Sequence, residues 1–260
     1  MKWVIEARNL WFSYTKRKNV LKDVNIRAVS GKITVIVGAT GSGKTTLLFL
    51  LSGLLEPDKG IVYYNDKPLR EILEDVKKHI GVLFQDPNDQ LFNSTVYDEI
   101  AYSLRTLELN EEEIEEKVVR TARFLGIEDI LGEKPYELSM GEKKKVALAS
   151  IMVYDPDILF LDEPLANLDY NNSLLLEEII SEYRKLGKNI IVSTHNLEFA
   201  LRIGDIIYGL VDGLVIGPFT PLEIVEKGFK NIGLPEPLIY KLCRKLGLEP
   251  KDIVELIRKI

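Results

Sequence analysis

Ile33-Thr34-Val35-Ile36-Val37-Gly38-Ala39-Thr40-Gly41-Ser42-Gly43-Lys44-Thr45 decides how this chain of 260 residues is read. The β-branched run Ile33 to Val37, closed by glycine, predicts a short strand buried on both faces of a parallel sheet. Gly38 to Thr45 then fits Gly-x-x-x-x-Gly-Lys-[Ser/Thr], the pattern of a phosphate-binding loop. At average residue usage that pattern arises by chance on the order of once in a hundred chains of this length. Its surroundings remove most of that remainder, because Thr45 to Leu55 reads as a buried helix ending near Gly53, with Pro57 beyond. Strand, glycine turn and helix N-terminus together aim backbone N–H groups at phosphate oxygens. In that setting Lys44 would neutralise the β- and γ-phosphates and the Thr45 hydroxyl would coordinate Mg²⁺.

Outward from this segment, Val62 to Tyr64 followed by Asn65-Asp66 predicts a strand and a turn, and Ile80 to Phe84 another strand. Apolar strands return at Ile158 to Leu161 and Ile190 to Ser193, with helical spacing over Leu174 to Leu186. That alternation predicts an α/β fold with helices on the faces of a sheet. From about Tyr97 to Gly126 the period is helical with a glutamate-rich first turn, where carboxylates favour the helix N-terminus. Residues 88–150 are therefore expected to form a mostly helical insertion. Gly233-Leu234-Pro235-Glu236-Pro237 reads as a linker, and Leu238 to Ile260 as two short amphipathic helices. The expected division is a domain over 1–230, with a helical subdomain at about 88–150, and a C-terminal helical tail over 231–260. In the tail Leu238, Ile239, Leu242, Leu246, Ile253, Leu256 and Ile257 predict one buried face, expected to meet a second copy; packing on the chain's own core is the alternative.

Hydrophobic residues make up 46% and charged residues 28%, as in an ordinary globular protein rather than a disordered or fibrous one. A net charge of −6 opposes polyanions, so nucleic acid would need a local basic stripe. The basic runs Lys16 to Lys18 and Lys143 to Lys145 are short, and both read as solvated surface. So does the acidic run Glu111 to Glu113 with Glu115 and Glu116. Cys243 is the one cysteine, which excludes an intramolecular disulfide and a cysteine-built zinc site and predicts a reducing compartment. Met1 to Glu6 lacks a signal-peptide layout, since an acidic residue interrupts before an apolar region forms. The longest uncharged stretches, such as Thr45 to Leu55 and Val146 to Tyr154, fall short of the roughly 18 to 20 residues of a spanning helix. The chain is not expected to cross a membrane by itself, though it could sit on one.

Ile158-Leu159-Phe160-Leu161-Asp162-Glu163 ends an apolar strand in two carboxylates, at the strand end where α/β sheets place ligands. Beside a phosphate loop it reads as a Walker B element, with Asp162 holding Mg²⁺ and Glu163 polarising the attacking water. A plain strand end before Pro164 is the alternative. Between the two motifs stands Leu138-Ser139-Met140-Gly141-Glu142-Lys143, with Ser139 at a plausible N-cap of a helix over Lys143 to Tyr154. This segment resembles the signature of the ATP-binding-cassette (ABC) ATPases, whose usual form is Leu-Ser-Gly-Gly-Gln. The rest of the order also matches: Tyr14 ahead of the phosphate loop, Gln85 ending a strand, Leu168-Asp169 after Walker B, and His195 ending the next strand. The resemblance runs from Trp3 to about residue 230.

It implies a P-loop NTPase core sheet with a helical signature subdomain and a helical tail, using ATP and Mg²⁺. It implies nucleotide contacts from Tyr14, Gly38, Ala39, Thr40, Gly41, Ser42, Gly43, Lys44, Thr45, Thr46, Ser139, Gly141 and Asp169, and metal contacts from Thr45, Gln85 and Asp162. Hydrolysis would be carried by Glu163, His195, Gln85 and Lys44. Each smaller element keeps an alternative. Tyr14 stacks on adenine or packs with Trp11 and Phe12; Gln85 contacts Mg²⁺ and relays movement to a membrane partner, or is a polar strand end. His195 contacts the γ-phosphate or is structural, and His79 has no comparable setting. Asp169 organises a dimer interface or caps a helix. Two departures stand out, Met140 for the first signature glycine and Glu142 for the glutamine, while Ser139 and Gly141 are kept. Lys145 replaces the common arginine, keeping charge but not the planar fork. A long side chain beside a bound phosphate is expected to loosen that site and slow hydrolysis, unless Met140 points to solvent.

In this family two chains face head to tail, ATP bridging the Walker elements of one and the signature of the other. Phe84 to Phe92 is similar to the Gln loop of energy-coupling-factor (ECF) transporter ATPases, which import vitamins, cobalt and nickel; the Gly-Leu-Pro-x-Pro segment and helical tail resemble that subgroup too. The implied partners are a second ATPase subunit, identical or not, an integral membrane component reached through coupling helices, and indirectly a substrate-binding membrane subunit. Nucleic acid is not among them, and the implied location is peripheral, on the cytoplasmic face of the membrane. The competing reading is a soluble ABC ATPase acting on nucleic acid or ribosomes. Long heptad insertions or a second cassette with a basic linker would mark those, and this compact acidic chain has neither. A P-loop small-molecule kinase would leave the signature and His195 without a purpose.

Overall fold

Strand β3 (Ile33–Val37) is buried along its whole length, as a strand paired on both sides and covered on both faces must be. Its neighbours β8 (Asn189–Thr194) and β9 (Ile206–Val211) run parallel to it. The full order is β10 (Leu214–Phe219), β9, β3, β8, β7 (Ile158–Asp162) and β6 (Ile80–Leu83), with β10 antiparallel to β9. The computed structural model describes residues 2–15, 19–107, 109–227 and 233–259. The run Lys16 to Lys18 and the boundary expected at 230/231 lie outside the described residues.

A strand's period of two divides its side chains between two cores. Val35, Val37, Leu159, Leu161, Ile190 and Val192 join one. Ile36, Ile158, Phe160 and Ile191 join the other. The first core is closed by α3 (Val96–Thr106), α4 (Glu111–Leu125), α5 (Met140–Met152), α6 (Tyr170–Lys185) and α7 (Leu197–Ile203). The second holds α1 (Lys44–Ser52) against an antiparallel sheet ordered β2 (Leu21–Val29), β1 (Val4–Phe12), β4 (Lys59–Tyr64), β5 (Lys67–Pro68). α2 (Leu69–Val76) packs on β4. Leu47, Leu48, Leu50 and Leu51 are all fully buried, so α1 is enclosed between two sheets and its N-terminus is fixed against β3.

The α/β expectation holds, and the elements differ from it in places that have physical causes. Strands β1 and β2 were not anticipated. Ile5, Ala7, Leu10 and Phe12 are buried, but the alternation slips at Arg8-Asn9, where Asn9 has φ 52° and the register shifts as at a bulge. The helical stretch 97–126 is two helices, because Asn110 opens a new capping box with Glu113. Helix α1 ends at Gly53, left-handed at φ 80°, close to the expected stop.

The tail comprises α9 (Leu238–Lys245) and α10 (Pro250–Lys259), preceded by α8 (Pro221–Lys227). Its apolar positions do not form one face. Ile253 and Ile257 enter the first core together with Tyr240 and Cys243, and α10 packs against α7 and α8. Leu238, Leu242 and Leu246, spaced at i, i+4 and i+8 on the opposite side, are at least half exposed. The expectation of a single apolar face for a second copy is corrected accordingly: Ile253 and Ile257 take the alternative, packing on the chain's own core. Ile257→Ala should cost about 2–5 kcal/mol in urea unfolding, as buried Ile-to-Ala changes do, whereas Leu242→Ala should stay within about 0.5 kcal/mol. Equal losses at the two positions would contradict this division of the tail.

Candidate active site

The parallel strands β3, β8, β7 and β6 end on the same edge of the core sheet, and the loops beyond them carry most of the predicted residues. Lys44 and Thr45 follow β3 through residues 38–43. Asp162 ends β7, Thr194 ends β8, and Gln85 lies two residues past β6.

Asp162 is fully buried, so its carboxylate needs partners from the protein. Thr45 Oγ1 donates to Oδ2 at 2.7 Å and Ser193 Oγ donates to Oδ1. Glu163, 7% exposed, meets Lys44 Nζ at 3.4 Å and His195 Nδ1 at 2.9 Å through Oε1, while Thr194 Oγ1 donates to Oε2 at 3.1 Å. Its backbone sits at φ 42°, rare for a residue with a side chain, and its N–H donates to Ser193 O at 3.0 Å. Such strain persists only where the surroundings over-determine it. The Lys44 ammonium also donates to Gly38 O and Ala39 O at 3.0 and 3.2 Å, so the buried lysine and glutamate are tied to the loop as one unit. Ser193 and Thr194 were missed from sequence; the available signal was two hydroxyls ending an otherwise apolar strand.

The loop has the features an anion cradle needs. α1 begins without a side-chain cap and without acidic residues in its first turn, leaving its first N–H groups for an external acceptor. Ser42 Oγ is buried with no partner. A Cβ on Gly38 would lie 2.4 Å from Leu210 O and 2.7 Å from Ser42 Oγ, and Gly43 has φ 104°, so neither glycine can be replaced without moving the loop. Tyr14 is 61% exposed, set edge-on to Phe12 at 5.0 Å with its hydroxyl 3.2 Å from Thr46 Oγ1. It offers a free aromatic face at the mouth of the site.

Ser139, Gly141 and Asp169 are not brought to this centre. Among the described residues no hydrogen bond or ion pair joins 139–141 to 38–46. Ser139 caps α5 in a reciprocal box with Glu142: its hydroxyl donates to Glu142 Oε2 at 2.7 Å and its N–H to the same oxygen at 2.9 Å. These bonds hold the Glu142 carboxyl below its ordinary range. Nothing lies within 4 Å of a Cβ built on Gly141, so that backbone is open to an approaching group. Met140 does not extend freely into solvent; Asn88 Nδ2 donates to its Sδ at 3.9 Å. Asp169 accepts from Asn172 N at 2.8 Å as the N-cap of α6. The reading of Lys143 to Lys145 as solvated surface is wrong for Lys144, which is 2% exposed; burial pushes its ammonium down to about 8. His79 pairs with Asp157 through Nδ1 at 2.9 Å, away from this site.

A family profile described as ABC transporter matches residues 21–166. The chain belongs to the ABC transporter ATPases. An ABC transporter ATP-binding protein of Pyrococcus furiosus is 36% identical over 259 residues, covering 99% of both chains. An energy-coupling factor transporter ATP-binding protein of Methanospirillum hungatei is 33% identical over 273 residues, covering all of this chain and 69% of the relative. Among solved structures, cbiO1 of Clostridium perfringens, described as part of the ABC transporter complex cbiONQ, superposes with a TM-score of 0.77 at 30% identity over 99% of each chain. The chain is thus the ATP-binding subunit of an ABC transporter, with the cassette fold, and it hydrolyses ATP to drive transport. Among the described residues no helix is long and apolar enough to cross a membrane.

Proposed function

We propose that this subunit powers an ECF-type importer, for a vitamin or for cobalt or nickel ions, from the cytoplasmic face of the membrane. The observation that carries the reading is the chain-long likeness to cbiO1, tail included, supported by the ECF-named relative and by the Phe84 to Phe92 segment. Further along the segment that begins at Gln85, Phe92 is exposed and stacks edge-to-face with the exposed Tyr102 at 5.0 Å, an apolar landing suited to a membrane component's coupling helix. That component would in turn carry a substrate-binding membrane subunit. The same reading divides the chain into an ATP-binding domain over 1–230, a helical subdomain near 88–150 and a helical tail over 231–260.

In the catalytic cycle, backbone N–H groups from Gly38 to Thr46, with Ser42 and Lys44, hold the phosphates, and Tyr14 stacks on the adenine. Thr45 and Asp162 present hard oxygen donors 2.7 Å apart, and Gln85 lies on the same edge; these suit Mg²⁺, which would neutralise phosphate charge. Glu163 accepts the proton of the attacking water, with Thr194 and His195 fixing its carboxylate. A second ATPase subunit, identical or not, supplies across the interface the residues that correspond to Ser139, Gly141 and the Asp169 turn. Until then Ser139 is engaged by Glu142, whose negative charge lies beside the hydroxyl a γ-phosphate must reach. Glu142 is therefore the departure that slows closure, more than Met140.

Affinity purification from solubilised membranes, after co-expression with the neighbouring reading frames, tests the transport reading. A membrane protein should be recovered in stoichiometric amount and should stimulate the ATPase; stimulation by DNA or ribosomes instead would refute it. Glu142→Gln keeps a capping acceptor and removes the charge, and should raise turnover about threefold or more, less so at high salt. Met140→Gly, which changes no charge, should stay within about twofold. The reverse ranking would return the impairment to Met140.

A further inference from the structure

Residues 84–93 carry Gln85 from the core sheet to the exposed Phe92, and four side chains hold this segment to the helical layer. Gln90 Oε1 accepts from Phe84 N, and its amide donates to Ala147 O, both at 3.1 Å. Glu99, 3% exposed on α3, accepts from Phe92 N at 2.9 Å and Asn93 N at 2.7 Å. Lys144 on α5 donates to Phe84 O at 2.8 Å and to Gln85 O at 2.9 Å. Lys143, also on α5, donates from Nζ to Asn88 Oδ1 of the same segment at 2.9 Å.

Lys144 is the unusual member. It makes no ion pair among the described residues, and its charge is withdrawn from water for two backbone carbonyls. A buried ammonium held by two carbonyls, with only the longer-range attraction of Asp162, Asp86 and Glu163 to offset its burial, is costly, and an aliphatic residue would fill the same volume without that cost. What the ammonium adds is a fixed distance between the start of the signature helix and the backbone of Gln85. We propose that Lys144 is a positioning residue that makes Gln85 and the signature helix move as one body, so that a push received at Phe92 reaches Gln85 and Ser139 together. This rests on the reading of Gln85 as a reaction-site residue. Misplacement of such a group by about 1 Å is enough to cost on the order of a hundredfold in rate.

A double-mutant cycle tests it, using steady-state ATPase of the full chain with Lys144→Met, Gln85→Ala and the pair. Lys144→Met should lower kcat about tenfold or more with KM for ATP within about threefold, and should cost less than about twofold further in the Gln85→Ala background. Losses that multiply, or a parental kcat for Lys144→Met, overturn the inference and leave the role of Gln85 standing. A parental kcat for Gln85→Ala alone overturns both. Where Gln85→Ala is too slow to read, amide exchange over residues 84–90 decides: it should rise about tenfold in Lys144→Met, and unchanged exchange overturns the inference. Should Lys144→Met not fold, Lys144→Leu, which also removes the donor, is read in the same way.

Discussion

A fully buried carboxylate at Asp162 is the constraint around which the rest is arranged. Unpartnered, such a group would cost several kcal/mol; here hydroxyls satisfy it from Thr45 at the start of α1 and from Ser193 near the end of β8. That line of hydrogen bonds ties the start of α1, the end of β7 and the end of β8 into one unit. Glu163 is placed by the same line, because its N–H donates back to Ser193 O. The enclosure of α1 between two sheets keeps the unit from relaxing. Lys44 and Thr45 cannot withdraw without opening a core that contains Leu47, Leu48, Leu50 and Leu51.

The second half of the chemistry is kept apart. Ser139, Gly141 and Asp169 stand on helices of the other layer, satisfied locally as caps or left open, and none reaches the phosphate loop of its own chain. A single chain therefore holds a nucleotide cradle and a separate lid, which suits a cycle in which ATP closes two chains on each other. On the proposed reading, Glu142 and Lys144 set how that lid behaves. The first occupies the hydroxyl that must be released, and the second joins the lid to Gln85.

Much of this was legible in the chain, for physical reasons. Val35 to Val37 and Leu159 to Leu161 are buried on both faces and so read as unbroken apolar runs, and Ser139 could be placed as a cap from its hydroxyl and the helix that follows. Other features were hidden by local irregularity. The bulge at Asn9 shifts the phase of β1, and the hairpin between β9 and β10 turns on Asp212-Gly213, two left-handed residues whose pattern carries little weight alone. Lys144 was read as surface because its neighbours in a charged run are solvated; only the carbonyls of a distant segment distinguish it. In the tail, periodicity identified the apolar positions but not which side of α9 meets the core, since that depends on where α10 docks.

Glu163→Gln provides the most direct measurement of whether the buried pair at the end of β7 is the hydrolytic centre, because the amide preserves shape and removes the base. Turnover should fall by about 10²- to 10⁴-fold, while ATP binding persists and the nucleotide-loaded protein sediments as a dimer. Turnover within a few-fold of the parent would contradict that assignment of Glu163.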